Sequence, residues 1–316
     1  MIKNKPARAL RNFLVQSHIS LWWLIHRDRK RVPEEHLGHY RKVFSRALKR
    51  TGKVPAIFDG EDYNNKIRWL MIFDQNPLIV QCTDKLAVRD YVKEIVGEKY
   101  LNKIYAIWPS AKEIDFSALP ESFVLKTNHD SGSVWLVKNR NEIDLGEIQA
   151  SVQRSLDAED YGWEKGEWAY RHITPKAFAE EYLMGDAGGA PDFKFHCSSG
   201  KVCFIQYIYD RATSFTKEVL VEPDGKVMPV VFDEDFQVGS GFDIPAQWDE
   251  LVMVAETLAK PFKYVRVDLY IHNGSIRFGE LTFSPRTGAF TGKDQAFLGG
   301  LLEIDRSSVL PPFSAC

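Results

Sequence analysis

The chain is poor in cysteine. Cys82, Cys197, Cys203 and Cys316 make no CxxC pair and no zinc-ligand spacing, which excludes a zinc ribbon and a disulfide-stapled scaffold. Cys197 and Cys203 flank Ser198-Ser199-Gly200 and could face each other across a turn. Reduced core thiols in a cytosolic protein are the expectation. The longest early apolar cluster, Leu21 to Ile25 (LWWLI), is far too short to span a bilayer. It lies beyond Arg8 and Arg11 with no small-residue cleavage site, so no secretory signal is expected. Also missing are internal repeats, low-complexity tracts and the GxxxxGK[ST] order of a Walker A loop. The net charge is only −2, and no nucleic-acid partner is expected.

What is present is an ordinary globular composition of 316 residues, 44% hydrophobic and 27% charged. That length suggests about two domains. Charge is unevenly spread, with thirteen Lys/Arg against three Asp/Glu in residues 1–50. Such a basic head reads either as an amphipathic helix packed on the main body or as a peripheral contact with an anionic membrane face or an acidic partner.

Apolar spacing predicts a basic helix over 34–50, stopped near Thr51-Gly52, and a second over 84–96 with Asp84 near its start and Gly97 at its end. Strand patterns cover 123–126, 134–137, 192–197 and 201–209, and residues 176–183 are mixed. Helices are expected over 144–156 and from about Pro245 to Lys260. Two strand runs then meet at Asn273-Gly274 in RVDLYIHNGSIRFGELTFSPR. The layout is α+β, with antiparallel hairpins and separate helices.

Two segments carry candidate chemistry. In FVLKTNHDSGS a strand delivers Lys126 to a small-residue turn, where backbone N–H groups and a point charge suit phosphate oxygens. A surface lysine on a plain hairpin fits as well. In the 266–286 hairpin, Asp268 and Glu280 sit inside apolar runs, where carboxylates are costly unless compensated. Parity decides whether they can meet. A two-residue turn with regular pairing sets Asp268 opposite Gly279, whereas a three-residue loop or a bulge at Gly279 sets it opposite Glu280. Two facing carboxylates would suit Mg²⁺; otherwise they are solvent-facing positions of an ordinary hairpin.

The order of these pieces resembles the ATP-grasp superfamily over roughly residues 84–288. The motifs are Asp84-Lys85 opening a helix, Lys126 before the lid His129-Asp130-Ser131-Gly132-Ser133, and Glu180-Glu181-Tyr182-Leu183 as hinge. They close with Arg266, Asp268, Glu280 and Thr282 in the R-x-D and E-x-N positions. Thr282 departs from the usual Asn, and the lid is short of glycine. With KTNHDSGS and GELTF, the sequence looks like the teichuronopeptide-biosynthesis (TupA-like) branch.

That resemblance implies an ATP-grasp fold, two α+β subdomains clamping ATP behind a helical basic N-terminal extension. The division would be 1–50 (basic segment), 51–110 (small lobe), 111–183 (lid) and 184–316 (metal and substrate subdomain). Lys85, the lid and the hinge would bind ATP. Asp268, Glu280 and Thr282 would hold Mg²⁺, with Lys126, Arg266 and Lys194 at the phosphates and Arg211 and Arg286 at a substrate carboxylate. The implied reaction joins a carboxylate to an amine through an acyl phosphate. It would attach an amino acid or amino sugar to a uronic acid or acidic peptide of a cell-surface polysaccharide, in a cytoplasmic protein peripheral to the inner membrane face. The acceptor pocket is expected in loops such as 155–175 and 210–245. Rival readings are a phosphotransferase, a non-catalytic module and a glycosyltransferase using Asp233-Glu234-Asp235, a loop that reads as a solvated acidic turn.

Overall fold

The computed structural model describes residues 26–158, 161–183, 192–209, 216–239 and 241–314. The LWWLI cluster and Arg211 lie outside them. Helices α1 (Leu37–Thr51), α2 (Tyr63–Phe73), α3 (Leu78–Thr83) and α4 (Val88–Ile95) come first. Strands β1 (Ile104–Trp108), β2 (Phe123–Thr127) and β3 (Val134–Val137) precede α5 (Leu145–Leu156) and β4 (Ala177–Glu180). Next come β5 (Asp192–Ser198), β6 (Lys201–Tyr209), β7 (Lys217–Val221), β8 (Val227–Met228) and β9 (Gln237–Val238). Helix α6 (Trp248–Ala259), the hairpin β10 (Tyr264–His272) and β11 (Ser275–Thr282), and α7 (Gln295–Gly300) complete the order. The protein is α+β, as its patterns predict.

Two antiparallel sheets organise the chain. One has the strand order β1-β4-β2-β3; the other runs β11-β10-β5-β6-β7-β8, with β9 joining β7 in parallel. Both are apolar on one face. In the larger sheet Val267, Phe195, Ile205 and Val221 pair across one side and share a core with Leu251, Val254 and Leu258 of α6. In the smaller, Leu125, Ala177 and Ala179 pack with Val152 and Leu156 of α5. Strand alternation then puts Asp268, Lys194, Lys126 and Glu180 on the opposite faces, beside apolar residues such as Phe204 and Phe178.

Helix α2 covers only part of the larger sheet's second face. Its Tyr63 hydroxyl lies 3.0 Å from His196 Nδ1 and 2.6 Å from the Tyr264 hydroxyl, sealing that end with Phe204 and Phe232. The rows holding Asp268 and Lys194 lie beyond this cover.

Local signals mostly land where expected. Helix α1 ends at Gly52, which takes a left-handed φ of 70°. Helix α4 begins later than its pattern, because Asp84 spends its carboxylate capping Leu86 N (2.8 Å) and Ala87 N (3.3 Å) in a preceding turn. Cys82, Cys197 and Cys203 are free thiols. Cys197 pairs in register with Val202, so it does not face Cys203 across the turn.

Candidate active site

The β10–β11 hairpin settles the parity question. His272 pairs with Ser275, so the connection is a two-residue turn. Asn273 and Gly274 both have positive φ, 49° and 72°, as the twist-matched turn requires. Pairing then slips between Asp268 and Leu269: Asp268 faces Glu280, while Leu269 faces Phe278. Gly279 is therefore the extra residue of a bulge. A side chain there would meet Tyr270 Cε2 at 2.4 Å and Asp268 O at 3.0 Å, so the bulge needs glycine.

Around this pair lies a dense charge network. Arg266 Nε donates to Asp268 Oδ1 (2.6 Å), and Nη2 donates to Asp268 Oδ2 (2.7 Å), Glu280 Oε1 (2.9 Å) and Thr282 Oγ1 (3.0 Å). Thr282 Oγ1 donates in turn to Glu280 Oε1 at 2.9 Å. Lys194, opposite Asp268 in register, bridges Asp268 and Asp192, the latter at 2.7 Å. Asp268 is 1% exposed and Glu280 47%. Burial alone would lower the Arg266 pKa, but Asp268 and Glu280 outweigh it and raise it.

The smaller sheet contributes a second charged face. Lys126 pairs with Phe178, and its ammonium contacts Glu180. Lys85 donates to Thr127 O at 2.8 Å and to Asp130 O. Burial pushes the Lys85 pKa down, opposed by Asp130 and by Glu280 of the other sheet. The two charged faces thus influence each other at Lys85.

Within the lid loop, His129 and Asp130 are buried and Ser131 and Gly132 are exposed. Ser155 Oγ donates to Asp130 Oδ2 at 2.5 Å and lies 2.9 Å from Ser133 Oγ, while His129 Nε2 is 3.1 Å from Ser155 O. Tyr161 latches the tip, its hydroxyl donating to Ser131 O at 2.8 Å. Gly132 has a φ of 99°. In the hinge segment, Glu181 N donates to Lys103 O at 2.8 Å, and Tyr182 and Leu183 are partly buried.

Arg286 makes no hydrogen bond or ion pair with these residues. Its guanidinium contacts Asp233 and reaches Asp235 Oδ2 at 2.6 Å. Asp233 is 1% exposed, while Glu234 and Asp235 are exposed, so the reading of 233–235 as a solvated turn fails only at Asp233, whose charge Arg286 neutralises.

Sequence reasoning missed Glu167 and Tyr170, which belong to no periodic pattern. Glu167 Oε1 accepts a hydrogen bond from Ser284 Oγ at 2.7 Å, two residues past Thr282. Burial raises its pKa, helped by Glu280, while Ser284, Lys165 and Arg46 oppose the rise. Burial also raises the Tyr170 phenol, which feels Glu167, Glu280 and Asp130.

Asp268, Glu280 and Thr282 offer only hard oxygens. Among the described residues no group of three or more His, Cys, Asp or Glu is placed to hold a metal alone. Mg²⁺ ordinarily takes one or two carboxylates and completes its shell with waters and substrate phosphates, so the donor set fits that ion.

A lysine-bearing lid sheet set against a carboxylate-bearing hairpin is the arrangement of an ATP-grasp protein. The chain belongs to the TupA-like ATP-grasp family, whose model matches residues 65–302. A comparison with curated proteins gives no match. Among solved structures, D-alanine–D-alanine ligase from Bacillus anthracis complexed with ATP is similar over 70% of this chain and 64% of that one, at 18% identity and a TM-score of 0.42. The Helicobacter pylori D-alanine–D-alanine ligase is similar over 78% and 70%, at 15% identity and 0.41. ATP-grasp ligase PsnB with its minimal precursor is similar over 66% and 55%, at 12% identity and 0.37. The chain spans only 57% of a further structure of the B. anthracis D-alanine–D-alanine ligase. Among the described residues, no helix is long and apolar enough to cross a membrane.

Proposed function

We propose that the protein is an ATP-dependent carboxylate–amine ligase working through an acyl phosphate. The observation that carries this reading is the Arg266–Asp268–Glu280–Lys194 network, set so that Lys85 of the lid side feels Glu280. Phosphoryl transfer needs positioning and charge neutralisation more than covalent help. A substrate carboxylate oxygen attacks the γ-phosphorus, and the bond to ADP breaks. The amine then attacks the acyl carbon, the C–O bond to phosphate breaks, and an amide, phosphate and a proton result. Lys85, Lys126, Arg266 and Lys194 neutralise phosphate oxygens in this scheme, and backbone at Ser131–Gly132 covers them. Asp268, Glu280 and Thr282 would hold Mg²⁺, which supplies further neutralisation of the phosphates when bound. The hinge 180–183 takes the nucleoside.

Family membership supports an acidic polysaccharide or peptide carboxylate as acceptor and an amino acid or amino sugar as amine. The same reading keeps the division into 51–110, 111–183 and 184–316, and a cytoplasmic site whose basic head, residues 1–50, rests on an anionic membrane face. The glycosyltransferase reading loses its metal site, because Asp233 is buried against Arg286.

Screening ADP release over uronic acids and amino acids, with hydroxylamine to trap acyl phosphate as a hydroxamate, tests the proposal. Release that requires both substrates is expected. Turnover of a sugar nucleotide without ATP would overturn it. The membrane contact is lost if the protein ignores anionic liposomes and removal of residues 1–25 changes nothing.

A further inference from the structure

Helix α1 lies outside the stretch matched by the family model, yet it brings cations to the end of β11. Lys42, Arg46 and Arg50 recur at every fourth residue and form one ridge of the helix. Both ends of the ridge are tied down. Lys42 Nζ donates to Glu164 Oε1 at 2.9 Å and lies over the Trp163 ring at 4.7 Å. Arg50 Nη1 donates to Arg286 O at 3.3 Å.

Arg46, between them, is different. It is partly buried, its Nε is shut off from solvent without a partner, and no hydrogen bond or ion pair joins it to a described residue. Its charge is felt by Glu167, which Ser284 fixes beside the Glu280–Thr282 wall. On the ridge, Arg46 therefore sits between the tie of Lys42 to Glu164 and that of Arg50 to Arg286, at the junction of α1 with the segments around Glu167 and Arg286, and is paired with nothing there.

Holding a half-buried cation unpaired is unfavourable, and an unsatisfied buried donor in a folded protein asks for a missing partner. The planar guanidinium fork matches a carboxylate or a phosphate in bidentate geometry. Lys42 cannot supply that fork, and Arg286 is already engaged by Asp233 and Asp235.

We propose that Arg46 is the anion-binding residue of an acceptor subsite between α1 and the end of β11, taking a carboxylate or phosphate group of the substrate that is not ATP, with Arg50 on its outer rim. Only the word acceptor depends on the ligase reading; the anion site stands on the ridge geometry. Arg46 then determines specificity, and acidic acceptors are preferred to neutral ones.

The test uses the full chain saturated with Mg²⁺ and a non-hydrolysable ATP analogue, so that the phosphate lysines are occupied. Sodium glucuronate, glucose 6-phosphate and glucose are titrated by calorimetry, and thermal midpoints are recorded. At least one anion should bind the wild type and the exposed-site control Lys49→Met, while glucose should not. Preference between the two anions assigns carboxylate or phosphate. Arg46→Met should weaken anion binding by about tenfold or more with a ligand-free midpoint no lower than wild type, since an unpaired charge is gone. Arg46→Lys, which keeps the charge without the fork, should bind weakly at an unchanged midpoint. Anion binding unaltered in Arg46→Met, a lowered midpoint with full binding in Arg46→Lys, or no anion binding by the wild type would each overturn the assignment. Anion binding without any hydroxamate from the panel would retire the ligase reading and leave the site in place.

Discussion

Asp268 and Glu280 face each other across the β10–β11 pair because Gly279 is bulged out between them. One residue of slippage in a strand moves every following side chain to the other face. Without the bulge, the carboxylate of Glu280 would turn toward the apolar face that packs on α6. Gly279→Ala forces a methyl group against Tyr270 Cε2 and Asp268 O. A loss of about 1–3 kcal/mol is expected from the clash, and ATP turnover should fall further than stability. Thermal midpoint and ADP release measured on one preparation separate the two. Wild-type turnover in a stable variant would show that the bulge does not set the site.

Asp268 and Glu280 should respond differently to neutralisation. Asp268 is buried and holds Arg266 and Lys194 together. Asp268→Asn leaves both cations short of a counter-charge, a loss on the order of 3–5 kcal/mol for a buried pair. Glu280 is half-exposed, so Glu280→Gln should leave the midpoint nearly unchanged. Both variants should lose ADP release. An active Glu280→Gln enzyme would remove this carboxylate from the phosphate site.

Stability should also carry the signature of Glu218. Burial pushes its carboxyl up to about 7 from a usual 4.5, although Gln206 Nε2 donates to it at 2.5 Å. Between those values the unfolded chain has lost the proton and the folded chain keeps it. Folding takes up a proton there, and stability falls as pH rises through the window. The full effect is about 3 kcal/mol. The wild-type midpoint should drop relative to Glu218→Gln between about pH 5 and about pH 7.5. Parallel profiles would contradict the assignment.

Much of the fold was legible because its signals are local. Gly52 stops α1, Asp144 caps α5, and alternation marks the strands of the larger sheet. Helix α2 escaped notice for a physical reason. All of Tyr63–Phe73 is buried, including Asn64, Lys66 and Arg68, whose side chains serve the backbone at Phe290, Leu302 and Gly288 on either side of α7. Its polar residues erase the amphipathic stripe that sequence periodicity detects. Parity reduced the hairpin to two options, and only coordinates could choose the bulge. Glu167 was invisible because its partner Ser284 lies far along the chain, and Arg46 because nothing in the sequence marks it off from its neighbours on the basic helix.

The Asn128 side chain ties the Asp84-Lys85 turn to the segment that follows β2 and to the approach to β4. Asn128 Nδ2 donates to Asp84 Oδ1 (3.0 Å) and Thr174 O (3.1 Å), and Asn128 Oδ1 accepts from Lys176 N at 2.7 Å. Lys85 N also donates to Asn128 O at 3.2 Å. Asn128 is 1% exposed, so water does not replace these bonds. Asn128→Ala removes its three side-chain bonds, at about 1 kcal/mol each, and frees the turn that carries Lys85. The expected result is a raised KM for ATP with a smaller change in kcat, together with a lower midpoint. An unchanged KM beside a lowered midpoint would reduce Asn128 to a purely structural part and detach Lys85 from nucleotide binding.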